Sequence, residues 1–317
     1  MQRFLGVANC ILLAAAVLSC TPVVTNSDPL HKIDHIVVIY QEDHSFDNLY
    51  GGWGEVGGQH VNGLSDATAT TTTQVAQDGS PLTCLYQNDV NLASPSPLPT
   101  TCTDAAHPAK QGTTPAPQPV NSAFANRPWR IDDDIPATAT TCSTASESDD
   151  NYADGTPGRV EHLADEQRFL RDAARPDGLA AVSFVKPIGA ENEHPGYASE
   201  PAGSSHLVEL IKAVVNGPNA KNTMVIVTYD EFGGQWDHVS PPGTPSNPGP
   251  HDVFGPGTRI PTLVLAPGLK PGVDRTQHDT TSILATIEHR FGLPPLTLPD
   301  GRPTRDAQVA DLSTALH

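Results

Sequence analysis

Apolar and polar positions fall into two patterned regions separated by a long stretch with little pattern. The run "IDHIVVIY", residues 33–40, is apolar, β-branched and too short for a globular helix, so it predicts a buried strand. From Ser65 to about Asp150 the chain is rich in Thr, Ser, Pro and Asp and shows no hydrophobic period, so an irregular insertion over 65–150 is expected. The pattern resumes at "RVEHLADEQRFLRDAA", which predicts a helix with Val160, Leu163, Leu170 and Ala174 on one face. "LAAVSFVKP" follows as a strand stopped by Pro187. "SSHLVELIKAVVNGP" carries Leu207, Leu210, Ile211 and Val214 at i, i+3, i+4 and i+7, and Gly217-Pro218 ends it as a helix. "TMVIVTYDE" and "RIPTLVLAPG" read as two more strands. "TTSILATIEHRFG" reads as a last helix, with Gly292 suited to its C-terminal left-handed position. Such alternation predicts an α/β fold with a mostly parallel central sheet and helices on both faces. No internal repeat is visible.

The first residues change the picture of where the domain begins. Arg3, the apolar run Phe4–Leu18 and "SCTP" describe an export signal over 1–19, too short to be a spanning helix. "AVLSC" resembles a bacterial lipoprotein box, which would make Cys20 the lipidated first residue of the mature chain. The expected protein is therefore exported, either as a periplasmic or cell-surface lipoprotein attached to a membrane through Cys20, or as a secreted protein. Residues 20–317 would then form one domain. The full chain's 18 Lys and Arg stand against 36 Asp and Glu, a formal charge of −18, so its average surface repels nucleic acid and anionic membranes. Beyond Cys10 and Cys20 there remain Cys84, Cys102 and Cys142, and Cys84 with Cys102 is the expected disulfide.

The chemistry lies at the strand ends. "IVVIYQED" and "VIVTYDE" each finish a buried run with adjacent acids, Glu42-Asp43 and Asp230-Glu231. Ligands of open parallel sheets bind beyond the carboxyl ends of the strands, where both pairs are predicted to lie. Two like charges about 4 Å apart repel by roughly 4 kcal/mol at an effective dielectric near 20, so four converging carboxylates call for a cation. Oxygen-rich sites suit one or more divalent metal ions. One acidic pair alone reads better as a solvated strand-to-loop turn; two together favour metal. His194 in "ENEHPGY" and His238 in "WDHVSPP" lie on loops at the same predicted edge, where a His can ligate metal, protonate a leaving oxygen or bind a phosphoryl oxygen. Each is equally a structural His bonded to its neighbouring acid, Glu193 or Asp237. His206 and His289, on or near helices, read as structural. No Walker motif, GxSxG elbow or CxxC is present.

"EDHSFDNLYG", "NEHPGY", "VIVTYDEFGGQWDHVSPP", "GPGTRIPTLVLAP" and "DTTSILATIEHRFGLPPL" resemble, in order, the bacterial phosphoesterase family. That family includes phospholipases C and an acid phosphatase and has the alkaline-phosphatase-like fold. The resemblance covers about 33–64 and 151–296. It implies metal binding by Glu42, by Asp43 at a place where the family usually has Asn, and by Asp230 and Glu231. It places His194 and His238 close to the phosphoryl group, and implies a phosphoester substrate, either a phospholipid head group or a small phosphomonoester. "DRTQHDTTS" departs from the family pattern at Arg275 and His278, so neither receives a role.

A larger departure lies in the middle. The family's Ser or Thr nucleophile follows a Gly-Gly pair, and none of the Gly-Gly pairs at 51–52, 57–58 and 233–234 is followed by Ser or Thr. The resemblance stops near "IPATATTCS" and restarts near "NYADGTPGRVEHL", as though a block were gone, and Cys142 is left without a partner. Three readings follow: a metal-dependent phosphoester hydrolase, impaired by the missing segment; a secreted pseudoenzyme that binds metal or phosphate; and, ranked last for want of its Cys/Ser-x-Pro-x-Arg motif, a sulfatase-type hydrolase on the same fold.

Overall fold

The structure, a computed structural model, describes residues 28–68, 71, 101–102, 118–119, 157–194, 198–233, 235–243, 247–252 and 255–316. The expectations for the signal at 1–19, Cys20, the Cys84–Cys102 bond, Cys142 and most of the 65–150 insertion lie outside them.

Four strands form the central sheet: β1 His35–Gln41, β2 Val182–Val185, β3 Thr223–Tyr229 and β4 Thr262–Leu265, in the order β2-β1-β3-β4. β1 pairs in parallel with both β2 and β3, and β4 closes one edge antiparallel to β3. Every residue of β3 is buried, which is why its sequence is continuously apolar rather than alternating.

Side chains of β1 point alternately to two cores. Val37 and Ile39, with Val225 and Val227 of β3, meet Leu207, Leu210 and Val214 of the helix Glu200–Val215 and Ala173 of the helix Glu166–Ala173. Ile36 and Val38, with Met224 and Ile226, pack on the other face against Ile283, Ile287 and Phe291 of the helix Thr281–Phe291, and against Leu30 and Leu312. The sheet is thus mostly parallel and flanked by helices on both faces, as the strand and helix alternation requires. The last helix ends at Gly292 with φ 65°, the left-handed stop its sequence predicts.

One predicted helix is in two pieces. Residues 157–162 and 166–173 are separate helices, because the Asp165 side chain accepts from the Arg168 N–H and starts a new one. Leu163 is exposed and Ala174 caps the second piece, so Phe169, Leu170 and Ala173 form its packed face and Leu163 and Ala174 are not part of it.

Candidate metal centre

β1 and β3 pair in register up to Gln41 opposite Tyr229, so the next residues of both chains leave the sheet side by side. The backbone continues the pairing, with the Asp230 N–H donating to Gln41 O at 3.0 Å. Asp43 N–H and Glu231 N–H both donate to Asp230 Oδ1, at 3.2 and 2.8 Å. Register alone therefore brings Glu42, Asp43, Asp230 and Glu231 to one end of the sheet.

Tight backbone geometry holds them there. Asp43 has φ 62°, in the left-handed region that Asp and Asn tolerate better than most residues. Gly233, with φ 60°, lies against it, and a Cβ at 233 would sit 2.4 Å from Asp43 O. Its N–H donates to Glu231 Oε2 at 2.9 Å, which fixes that carboxylate as well.

His194 joins the acids. Its Nε2 is 2.8 Å from Asp43 Oδ2, and donor atoms of Glu42, Asp43 and His194 all lie within 4.8 Å of one another. Burial, then repulsion from Glu231, Asp230 and Glu42, push the Asp43 carboxyl up to about 7, although the neighbouring His194 opposes this. The loop carrying His194 is anchored from below by Glu193, itself at φ 67° and fully buried. Glu193 accepts from Tyr229 Oη at 2.5 Å and Ser204 Oγ at 2.8 Å, and its carbonyl accepts from His44 Nε2 at 3.0 Å. Gly203 lets the helix Glu200–Val215 press on it, since a Cβ there would lie 2.3 Å from Glu193 Cγ.

Lys186 is the residue that sequence reasoning missed. It follows β2, the strand on the other side of β1, and its Nζ contacts Glu42 Oε1 and lies 3.6 Å from Asp230 Oδ2. The available signal was its place directly after a strand, the same place that both acidic pairs occupy.

His238 sits elsewhere. Its Nδ1 is 2.5 Å from Asp47 Oδ2 and its Nε2 is 2.9 Å from Asn62 Oδ1. Arg259 donates to Asp47 Oδ1 and Asp237 Oδ2, each at 3.1 Å. Burial and the nearby Asp47 charge push Asp237 up, against the pull of Arg259. The 42–48 and 230–238 loops run together through the Asp43–Gly233, Ser45–Trp236 and Asp47–His238 contacts. His238 therefore lies at the far end of this seam from Asp43. It lines an open cavity of about 380 Å³ with Asn62, Asp66, Thr71, Val239, Ser240 and Asn247. A third cluster joins His206 to Glu166 at 2.9 Å and to Glu191 at 3.7 Å.

Glu42, Asp43 and His194 have the donor chemistry of a divalent-metal site, carboxylate oxygens with one imidazole from two separate segments, and Asp230 stands beside them through its bond from the Asp43 N–H. The Asp47–Asp237–His238 group does not, because Arg259 already occupies its cationic position.

The profile of the Phosphoesterase family matches residues 137–294, a span that contains Lys186, His194, Asp230, Glu231 and His238. Phospholipase C B of Mycobacterium tuberculosis (strain ATCC 25618 / H37Rv) is 34% identical over 162 residues, which is 45% of this chain and 30% of that protein. Non-specific phospholipase C6 of Arabidopsis thaliana is 30% identical over 152 residues, 40% of this chain and 29% of its own. A non-hemolytic phospholipase C of Pseudomonas aeruginosa is 26% identical over 258 residues, covering 70% of this chain and 36% of the relative. The chain thus spans about a third of the length of the curated relatives it matches. With its strand-end acids and its mostly parallel sheet, the chain is similar to the phosphoesterase family over residues 137–294, just under half of its length.

Proposed function

We propose that the protein is a metal-dependent hydrolase of phosphoesters. The observation that carries this reading is the convergence of Glu42, Asp43, Asp230 and Glu231 at the carboxyl end of a parallel strand pair, with His194 bonded to Asp43. These five residues would hold a divalent ion, which when bound supplies a Lewis acid for the phosphoryl oxygens. Asp230 is oriented for this by two backbone N–H groups, and Glu231 by the Gly233 N–H. His194 sets the Asp43 carboxylate and is the imidazole at the metal end of the site, whereas His238, its ring nitrogens bonded to Asp47 and Asn62, lines the cavity at the other end of the seam.

The names of the relatives support a phospholipid head group as substrate, and a small phosphomonoester is the alternative within the same chemistry. We further propose export through the 1–19 segment, with a lipid on Cys20 as the membrane link. Among the described residues no helix is long and apolar enough to cross a membrane.

The test is metal analysis of the purified full chain together with hydrolysis of an aryl phosphate and of phosphatidylcholine. Hydrolysis of at least one, abolished by a chelator and restored by a divalent ion, is expected. Metal-free protein with undiminished activity would contradict the proposal, as would protein that binds no divalent ion.

A further inference from the structure

The four acids already face a cation, and its placement is specific. Lys186 Nζ reaches Glu42 on its own side of β1 and Asp230 across it, one carboxylate from each acidic pair. Its Nζ is buried although the side chain as a whole is partly exposed, and no well-directed hydrogen bond fixes it. The ammonium also lies 4.8 Å from the centre of the Tyr40 ring. By contrast, Arg259, a partly buried cation near these loops, makes directed bonds to Asp47, Asp237 and Asn62 O.

We propose that Lys186 is a displaceable internal counter-ion, holding Glu42 and Asp230 together and competing with a divalent metal for the same two carboxylates. The inference rests on the metal reading above and extends it to a residue with no role there. Three physical features support displacement. A lysine ammonium is a point charge on a flexible stem, suited to exchange rather than to rigid bidentate pairing. A divalent ion brings twice the charge to the same oxygens and accepts several of them at once. The Tyr40 ring, already beside Nζ, offers the freed ammonium a cation–π contact while its stem stays packed. The competition would set a threshold: metal binds only where its free concentration outweighs the local lysine.

The test compares the full chain with Lys186→Met and Lys186→Arg by calorimetric titration with Mn²⁺ alone, beside melting curves with chelator and with saturating Mn²⁺. Lys186→Met should bind Mn²⁺ about tenfold or more tightly, the scale of removing one competing unit charge at a partly screened contact distance. It should melt below wild type in chelator and recover in Mn²⁺. Lys186→Arg, which keeps the charge, should bind no more tightly than wild type.

A second readout needs no variant. Amine acetylation followed by mass spectrometry should show Lys186 protected with chelator and labelled once Mn²⁺ is added. Wild type that binds Mn²⁺ while Lys186→Met binds equally or more weakly overturns the counter-ion role and leaves the metal reading standing. Unchanged Lys186 labelling despite measured Mn²⁺ binding overturns displacement even if Lys186→Met does not fold. No Mn²⁺ binding by wild type or Lys186→Met overturns both.

Discussion

The strand-end acids and the Asp47–Asp237 pair lie on the same two loops, yet they settle their charge in opposite ways. Asp47 and Asp237 have fully buried side chains, and one arginine and one imidazole answer them through directed bonds. At the strand ends a single lysine reaches Glu42 and Asp230 and His194 reaches Asp43, and burial, then repulsion from the neighbouring acids, lifts Asp43 to about 7. The first arrangement is complete without a ligand; the second is short of positive charge. A cluster of acids therefore points to a metal only after its resident cations have been counted. A third pair shows another solution. Glu288, buried against Asp306, is raised to about 7 by burial and then by the Asp306 charge, so it holds its proton below that pH.

Removing a carboxylate from the unbalanced cluster should have the largest effect. Asp230→Ala takes away a ligand and the acceptor of the Asp43 and Glu231 N–H groups, so bound metal and hydrolysis should both fall to background, a loss of about 10³-fold or more in rate. Metal retained at wild-type level in that variant would move the site elsewhere.

In the balanced cluster the loss should appear as stability. Arg259→Ala leaves Asp47 and Asp237 buried beside each other and removes the guanidinium 4.3 Å from the Phe46 ring centre. A cost of about 3–5 kcal/mol is expected in denaturant unfolding. Metal affinity measured below the melting temperature should change little. A variant as stable as wild type but unable to bind metal would erase the distinction between the two clusters.

Gly233→Ala should fall between these behaviours, because it touches the seam where the clusters meet. The left-handed φ and the close approach to Asp43 O make the substitution strained, at a cost of about 1–3 kcal/mol. Relief by shifting Asp43 should weaken metal binding about 10–100-fold, read by titration. Unchanged affinity would show that Asp43 is not held by this contact.

The smallest effect concerns the pair that keeps its proton. The folded Glu288 carboxyl, at about 7, lies above its ordinary value of 4.5, so the folded state binds the proton more tightly than the unfolded chain does. The stability this confers is complete below pH 4.5, declines as pH rises, and is gone above about 7. Glu288→Gln should remove about 1–2 kcal/mol of that decline from a series of denaturant midpoints across this range. Equal declines in both proteins would place the titration at another group.

What could be read from the sequence was what local pattern and register determine. β1 and β3 are buried on both faces, so their apolar runs end where the sheet ends and the acids after them must lie together once the strands pair. At 159–174 the apolar period predicts one helix, but the capping aspartate at 165 outweighs it and divides the segment in two. Lys186 carries the same strand-end signal as the acids, but its partners depend on β2 lying beside β1, a neighbour relation that nothing near position 186 encodes. His238 follows Asp230 closely in sequence, but the Gly233 turn and its bond to Asp47 carry it along the seam. Asp47 drew no attention because an acid early in a short helix has an ordinary explanation.

The most direct test of the central claim is an anomalous difference map from crystals of the full chain grown with Mn²⁺. A peak coordinated by carboxylates of Glu42, Asp43, Asp230 and Glu231, with His194 in contact, is the predicted result. A peak at Asp47, Asp237 and His238, or at Glu166, Glu191 and His206, with none at the strand ends would contradict it.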